Sequence, residues 1–326
     1  LGGYSPSSAA DRGFAFDFDR SGVSNHLFMY RPGSGKVWIL RFDAEAQSFA
    51  SVYDAGAIGH GIGAFDFFSA DDRAFAFDYE HSGRADYICV YRGGTGLFQI
   101  YKHGALDSDE PAPNVWIQVF PTGDESTDIG IGGYDLRSSA DHAFAFDWDH
   151  SGKLDHIVLY RPGAGKFAVL KNKDGVFSAV FSTASAATVL KGFDLLAEED
   201  KAMAFDYEHI GKPDYILFSR PGSGKLLILG HREKQFFIAH QADSFGIFEG
   251  GIGGYDMMSK EDHIFAYDLE GTGRQEYLVL YRPGSGSFCA MKNTRGVFSP
   301  VYMEGDPGAG VAGYDLKSPK DRAFPF

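Results

Sequence analysis

The chain has 326 residues, of which 44 are acidic and 30 are basic, so its formal net charge is −14. This excess of negative charge argues against a nucleic-acid-binding protein, because binding phosphates requires a basic face. Hydrophobic residues at 44% and 42 glycines suit an all-β protein with a packed core and many turns. The longest apolar runs fall far short of the ~20 residues of a membrane helix, so no membrane span is expected.

One motif occurs five times along the chain. It first reads FAFDFDRSGVSNHLFMYRPGSG from Phe14, and the spacings between the leading aspartates of its copies are 61, 69, 59 and 62 residues. These leading aspartates are Asp17, Asp78, Asp147, Asp206 and Asp268. Self-similarity at a fixed period sets the architecture before any single motif is weighed. A site built from such a unit would recur, which favours multivalent binding over one catalytic centre.

The third copy shows what each unit folds into. Hairpin signals in series predict strands over 143–148, 156–160, 166–170 and 176–182, and no segment has helical periodicity. Four short strands in about 60 residues form the blade of a β-propeller, whereas the rungs of a β-helix are shorter. The sequence therefore predicts an all-β, five-bladed propeller with four antiparallel strands per blade.

The repeats run through the whole chain and predict a single domain over residues 1–326. The predicted units are 3–63, 64–132, 133–191, 192–253 and 254–312, with a partial sixth unit at 313–326. Segment 3–16 matches segment 313–326 at an offset of 310 residues. Because propellers close by pairing their terminal strands, the two ends are candidates for the same position, and the closure stays open.

An acidic loop follows the first strand of each unit. It reads D-x-[DE]-x-[ST]-G-x-x-[DNE] in four copies, and oxygens at positions 1, 3, 5 and 9 can converge on a hard cation such as Ca²⁺. In the fourth copy Ile210 replaces the hydroxyl residue, so we expect that copy to be weak or empty. The candidate metal ligands are Asp17, Asp19, Ser21 and Asn25; Asp78, Glu80, Ser82 and Asp86; Asp147, Asp149, Ser151 and Asp155; and Asp268, Glu270, Thr272 and Glu276. The alternative is a turn in which the first Asp accepts hydrogen bonds from loop amides.

On these loops the chain resembles the FG-GAP repeat family, which includes integrin-type propellers and related lectins. The resemblance covers all five units and implies a calcium loop between the first two strands of a blade. Position 5 is never Asp in this chain, and position 3 is Glu in three copies.

Two further repeated features are candidates for ligand binding. The first is an arginine after the second strand, which can hold carboxylates or vicinal hydroxyls; a structural tie to a repeated Asp is the interpretation we favour. These arginines are Arg31, Arg92, Arg161, Arg220 and Arg282. The second is an aromatic–Asp pair in a glycine-rich loop between units, where glycine allows a ligand close to the backbone. The pairs are Phe65–Asp66, Tyr134–Asp135, Phe193–Asp194, Tyr255–Asp256 and Tyr314–Asp315.

Three functions remain as alternatives. The lectins that the chain resembles bind sugars between adjacent blades, which makes a multivalent carbohydrate-binding protein the first hypothesis; its partners would be glycans or glycoproteins, with extracellular action favoured and cytoplasmic action left open. A protein-interaction propeller is the second. An enzyme with one central pocket is the third, and since the sequence has no Walker loop, G-x-S-x-G or H-E-x-x-H, we expect no enzymatic activity. His81, His150 and His209 recur at one loop position, which suggests a surface role.

Overall fold

The computed structural model describes residues 1–55, 61–104, 115–121, 130–183, 190–242, 251–303 and 310–325. Every regular element in these ranges is a strand, and no helix long and apolar enough to cross a membrane occurs among them.

Five four-stranded antiparallel sheets form a five-bladed β-propeller, which confirms the predicted fold class. Blade 1 consists of β1 (Arg12–Phe16), β2 (His26–Arg31), β3 (Lys36–Asp43) and β4 (Ser48–Asp54), and blade 2 of β5 (Asp72–Phe77), β6 (Tyr87–Arg92), β7 (Leu97–His103) and β8 (Trp116–Phe120). Blade 3 consists of β9 (His142–Phe146), β10 (His156–Arg161), β11 (Lys166–Lys173) and β12 (Val176–Ser182). Blade 4 consists of β13 (Lys201–Phe205), β14 (Tyr215–Arg220), β15 (Lys225–Arg232) and β16 (Gln235–Ala242), and blade 5 of β17 (His263–Tyr267), β18 (Tyr277–Arg282), β19 (Ser287–Thr294) and β20 (Val297–Met303).

The hydrophobic core lies between blades. Four buried clusters join blades 1 and 2, 2 and 3, 3 and 4, and 4 and 5. Each cluster combines second-strand and third-strand side chains of two blades; Leu159 of blade 3, for example, belongs to the cluster with Cys89 of blade 2. Burial of this apolar surface is the main force that holds the blades together.

The two ends of the chain occupy different positions. The C-terminal copy of the repeat docks on blade 5 as an inner strand of a sixth blade would, since Ala323 N donates to Tyr281 Oη at 3.2 Å. Phe324 of this copy packs against blade 1, beside Met29 and Leu40. The C-terminal copy therefore lies between blades 5 and 1, and it does not compete with β1.

Candidate functional site

The leading aspartate of every acidic loop caps its own turn. In blade 3, Asp147 Oδ1 accepts a hydrogen bond from Ser151 N at 2.9 Å, and Oδ2 accepts one from Gly152 N at 2.7 Å. The same two bonds are formed by the leading aspartate in the other four blades. Both oxygens of this carboxylate are thus used by the loop backbone, as expected for the Asx-turn interpretation.

The acid at position 3 contacts the first residue of the second strand. Where this acid is Glu, the partner is a tyrosine: Tyr87 Oη donates to Glu80 at 2.5 Å, and Tyr215 Oη donates to Glu208 at 2.8 Å. Lysines of the third strand add ion pairs, such as Lys102 Nζ with Glu80 at 3.1 Å. In blades 1 and 3 the shorter Asp19 and Asp149 stand there instead, next to His26 and His156. The longer glutamate at position 3 is thus paired with a tyrosine, and the shorter aspartate lies next to a histidine.

The acid at position 9 is tied to the preceding blade. His81 Nδ1 of blade 2 lies 2.7 Å from Asp155 Oδ2 of blade 3, and His150 Nδ1 of blade 3 lies 2.6 Å from Asp214 Oδ2 of blade 4. We call this contact, from position 4 of one loop to position 9 of the next, the inter-blade clasp. Longer versions join Arg20 to Asp86 at 3.8 Å and His209 to Glu276 at 3.9 Å.

Other hydrogen bonds reinforce the clasp. Lys153 Nζ donates to His81 O at 2.7 Å, and Lys212 Nζ donates to His150 O at 2.6 Å. The amide of Asp78 donates to Leu154 O of the next blade at 3.0 Å. The acidic loops therefore lock adjacent blades together. His81, His150 and His209, for which the sequence suggested a surface role, take part in these contacts between blades.

These contacts bear on the predicted calcium ligands. Among the described residues, one group of three metal-type donors lies close together, formed by Asp149, Asp155 and His156. It omits Asp147, and it includes an imidazole, which suits transition metals better than the oxygen-seeking Ca²⁺. In blades 2 and 5 the position-3 glutamates are already held by Tyr and Lys. The residues of those loops do not fit a calcium site, and calcium binding stays a prediction.

Asp86 differs from its counterparts. Its side chain is buried, and neither carboxylate oxygen has a hydrogen-bond partner among the described residues. Burial raises the pKa of Asp86 to about 6, although the charges of Arg84 and Arg20 oppose the shift. Burial acts in the same direction on Asp155, but hydrogen bonds with His156 and His81 outweigh it, and the pKa of Asp155 is lowered.

The repeated arginines hold each blade to the loop that precedes it. Arg161 Nε donates to Asp141 Oδ1 at 2.7 Å, its Nη2 donates to both Asp141 and Asp135, and its guanidinium lies over the ring of Tyr134 at 5.7 Å. Tyr134 Oη also donates to Asp141 Oδ1, at 2.9 Å. Corresponding ties are formed by Arg92 with Asp66, Asp72 and Phe65; by Arg220 with Asp194, Asp200 and Phe193; and by Arg282 with Asp256, Asp262 and Tyr255.

The first and last copies of this tie are incomplete. Arg31 pairs with Asp11 at 2.6 Å and lies over Tyr4, but Nη2 donates to Ser5 O where the other blades have a second Asp. In the C-terminal copy Tyr314 donates to Asp321, and Asp315 caps the amide of Lys317. The arginines thus have the structural role that we favoured.

A pocket opens at the glycine-rich loop of blade 3. It has a volume of about 420 Å³, and its lining includes Gly133, Asp135, Lys166, Ala168 and Ser182. We call it the blade 3 pocket. Gly133 has φ +85° and open space where a Cβ would stand, so the loop leaves the pocket accessible. Asp135 Oδ2 and Lys166 Nζ lie 3.4 Å apart, and each side chain is nearly half exposed.

The corresponding pocket in blade 4 is almost filled. Each residue that lines it lies 59 positions after a lining residue of the blade 3 pocket, and its volume is about 10 Å³. Leu227 replaces Ala168 and Gln241 replaces Ser182, so larger side chains occupy the space. The predicted sites are therefore not equivalent from blade to blade.

No family model matches the chain. No curated protein matches it either. Solved structures to which it is similar include a periplasmic gluconolactonase from Pseudomonas aeruginosa, with a TM-score of 0.36 and 11% identity over 86% of this chain and 67% of that chain. Another is the calcium-binding protein regucalcin from Agrobacterium tumefaciens, with a TM-score of 0.44 and 10% identity over 92% of this chain and 75% of that chain. A third is the Swd1 β-propeller domain from Myceliophteria thermophila, with a TM-score of 0.41 and 11% identity over 90% of this chain and 71% of that chain.

The expectation that the chain has no enzymatic activity is corrected. It rested on the absence of familiar catalytic motifs, and one of the similar structures is a gluconolactonase. Missing motifs therefore do not exclude an enzyme. At these identities and TM-scores the similarities assign no activity to this chain.

Proposed function

We propose that the chain is a carbohydrate-binding propeller of the FG-GAP type and that its best-formed sugar site is the blade 3 pocket. The observation that carries the proposal is the pocket itself, whose volume of about 420 Å³ lies within the range typical of small-molecule sites. The proposal is supported by Tyr134 and Asp135, two candidate ligand-binding residues that both line this pocket.

The polar groups of the pocket suit a neutral polyol. Asp135 can accept hydrogen bonds from sugar hydroxyls, and Lys166 can donate to them. Because these two side chains partly neutralise each other, the pocket does not demand a charged ligand. Phe167 and Ala168 supply apolar surface for the C–H face of a sugar ring.

The wall opposite the loop is rigid. Phe167 N donates to Thr183 Oγ1 at 2.8 Å, and Thr183 Oγ1 donates to Gly165 O at 3.2 Å. These bonds fix the end of β12 against the turn before β11. A preformed wall lowers the entropic cost of binding.

A glycan array with the wild-type chain and the double variant Ala168→Leu/Ser182→Gln tests the proposal. The variant introduces the residues of blade 4 and should fill the pocket, so we expect at least a tenfold loss of array signal. The matched control is the single variant Ser178→Gln, which changes an exposed residue of β12 outside the pocket lining. Absence of glycan binding by folded wild-type chain contradicts the proposal, as does binding that the double variant leaves intact.

A further inference from the structure

Six basic residues form a ring at one end of the central channel. In each unit the residue after the buried aspartate of the arginine tie is Arg, Lys or His, although the chain as a whole carries a charge of −14. The members of this ring, which we call the basic ring, are Arg12, Arg73, His142, Lys201, His263 and Arg322. Five lie at the start of the inner strands, and Arg322 holds the corresponding position in the C-terminal copy. Since inner strands surround the channel of a propeller, the six side chains belong to the same end of it.

The charges of the basic ring act on one another. Burial, followed by the charges of Arg73 and Arg322, lowers the pKa of Arg12. Burial, followed by repulsion from neighbouring cations that include Lys201, lowers the pKa of His142 to about 4 and that of His263 to about 3. At neutral pH both histidines are therefore uncharged, and the cations of the ring are Arg12, Arg73, Lys201 and Arg322. An anion bound among these four would relieve their mutual repulsion.

The repeat is broken beside this ring, in blade 4. Across the strand pair, the ring residues of the other four blades face tyrosines, whereas Lys201 faces Ser219. Each tyrosine oxygen accepts a hydrogen bond from an inner-strand amide of the following unit, as Tyr160 does from Ala202 N at 3.1 Å. Ser219 is fully buried, and its Oγ has no hydrogen-bond partner among the described residues.

A cavity of about 290 Å³ lies beside Ser219, where the other four blades have the larger tyrosine. Its lining includes Ser219, Lys201 and His142 together with Tyr160 and Ile264, so it spans the inner region of blades 3, 4 and 5. Lys201 Nζ donates to Asp262 O of blade 5 at 3.3 Å, which places the ammonium across the junction.

Acidic residues also border this cavity. Glu198 and Glu199 are part of its lining, and Glu199 is paired with Lys260 Nζ at 2.5 Å. Asp200 also lines the cavity, and it is held by Arg220. Two of the three carboxylates therefore have cationic partners outside the basic ring.

We propose that this cavity, at the blade 4 side of the basic ring, binds one small oxyanion-bearing molecule per chain, with its carboxylate or phosphate held by the Lys201 ammonium, by an N–H of the neutral His142 and by the Ser219 hydroxyl. The proposal concerns the channel, and it is independent of the blade 3 pocket. Unlike the clasps and the arginine ties, this site depends on a feature of one blade, since among the described inner strand pairs Ser219 stands where the other four blades have tyrosine.

The experiment is a calorimetric titration of the full chain with inorganic phosphate and, separately, with citrate at low ionic strength. We expect one site per chain for at least one of the two anions, with affinity falling as salt is added. The two arms distinguish a phosphate site from a carboxylate site. Lack of binding of both anions overturns the proposal.

Two variants locate the site. Ser219→Tyr restores the residue of the other four blades and should fill the cavity, and Lys201→Met removes the nearest full charge. We expect each to weaken binding at least tenfold, while Lys173→Met, at the exposed end of β11, leaves it unchanged. If one of the two location variants fails to fold, the other carries the test. Binding that survives both, or a loss that Lys173→Met reproduces, contradicts the assignment.

Discussion

Blades 3 and 4 are built from the same motif, yet each is open where the other is closed. Blade 3 has a pocket of about 420 Å³ at its glycine-rich loop, where blade 4 has about 10 Å³. Near the channel blade 4 is the open one, because Ser219 stands beside a cavity at the position that Tyr160 fills in blade 3. Residues that repeat faithfully hold the ring together, and residues that depart from the repeat create space for ligands.

Loss of the arginine tie should give the largest fall in unfolding free energy. The tie is present in both blades, so the two losses can be compared. Arg161→Leu leaves the fully buried Asp141 without its cation, and loss of one partner of a buried ion pair costs about 3 kcal/mol of unfolding free energy or more. Arg220→Leu should cost more, since Phe193 cannot replace the hydrogen bond that Tyr134 Oη gives to Asp141. Urea unfolding of both variants measures this difference. Near-zero losses would show that the tie is not structural.

Exchanging the pocket residues should move the opening between blades. Leu227→Ala removes a buried side chain from blade 4, and we expect a loss of about 2–4 kcal/mol in unfolding free energy. Ala168→Leu fills existing space in blade 3 and should cost less than about 1.5 kcal/mol. Chemical denaturation of the two variants provides the comparison. Equal costs would show that the blade 3 pocket is not open.

Position 9 of the acidic loop allows a test of pH dependence. Burial raises the folded pKa of Asp86 from its usual value of 3.8 to about 6, so its contribution to stability is fully present below pH 3.8 and is lost as pH rises through 6. Asp86→Asn should therefore stabilise the chain at pH 7, by about 1–2 kcal/mol, with the gain disappearing towards pH 4.

Asp155 is the matched comparison for Asp86. Its lowered pKa means that its contribution is present at neutral pH and is lost only as pH falls through the folded pKa, below 3.8. Asp155→Asn should thus destabilise the chain at pH 7. Thermal unfolding from pH 4 to 8 tests both variants, and a shift of the same sign in both would contradict the roles assigned to the clasp.

Calcium gives the smallest expected effect. Because the leading aspartates and the position-3 glutamates are already hydrogen-bonded within the protein, adding Ca²⁺ or a chelator should move Tm by less than about 1 °C, which corresponds to a small fraction of a kcal/mol. Calorimetric scans with Ca²⁺ and with EDTA make the measurement. A large fall in Tm with EDTA, absent from an Asp149→Asn variant, would place a structural metal in blade 3.

The repeat spacing predicts five blades, and the recurrence of one Arg and one Asp in every blade favours a structural role for the arginines. The clasp is not apparent from any single copy, because it joins position 4 of one copy to position 9 of the next. A signal was present: the clasp partners are both lost at the same junction, where position 4 is Gly271 and position 9 is Asn25. The C-terminal copy stands between those two blades.

The two cavities were harder to predict. Ser219 in place of tyrosine was visible in the fourth copy, but whether neighbouring side chains fill the space depends on packing in three dimensions. The blade 3 pocket likewise depends on Ala168 and Ser182, which look unremarkable in the sequence. The initial inference that any ligand is bound more than once does not follow from the structure, because the repeated residues are engaged in ties.

The central claim is that departures from the repeat, and not the repeat itself, form the ligand sites. Calorimetric titration with the monosaccharide that gives the strongest glycan-array signal tests it most directly. We predict one sugar site per chain, lost in Ala168→Leu/Ser182→Gln and retained in Ser178→Gln. Five equivalent sites that persist in the double variant would contradict the claim.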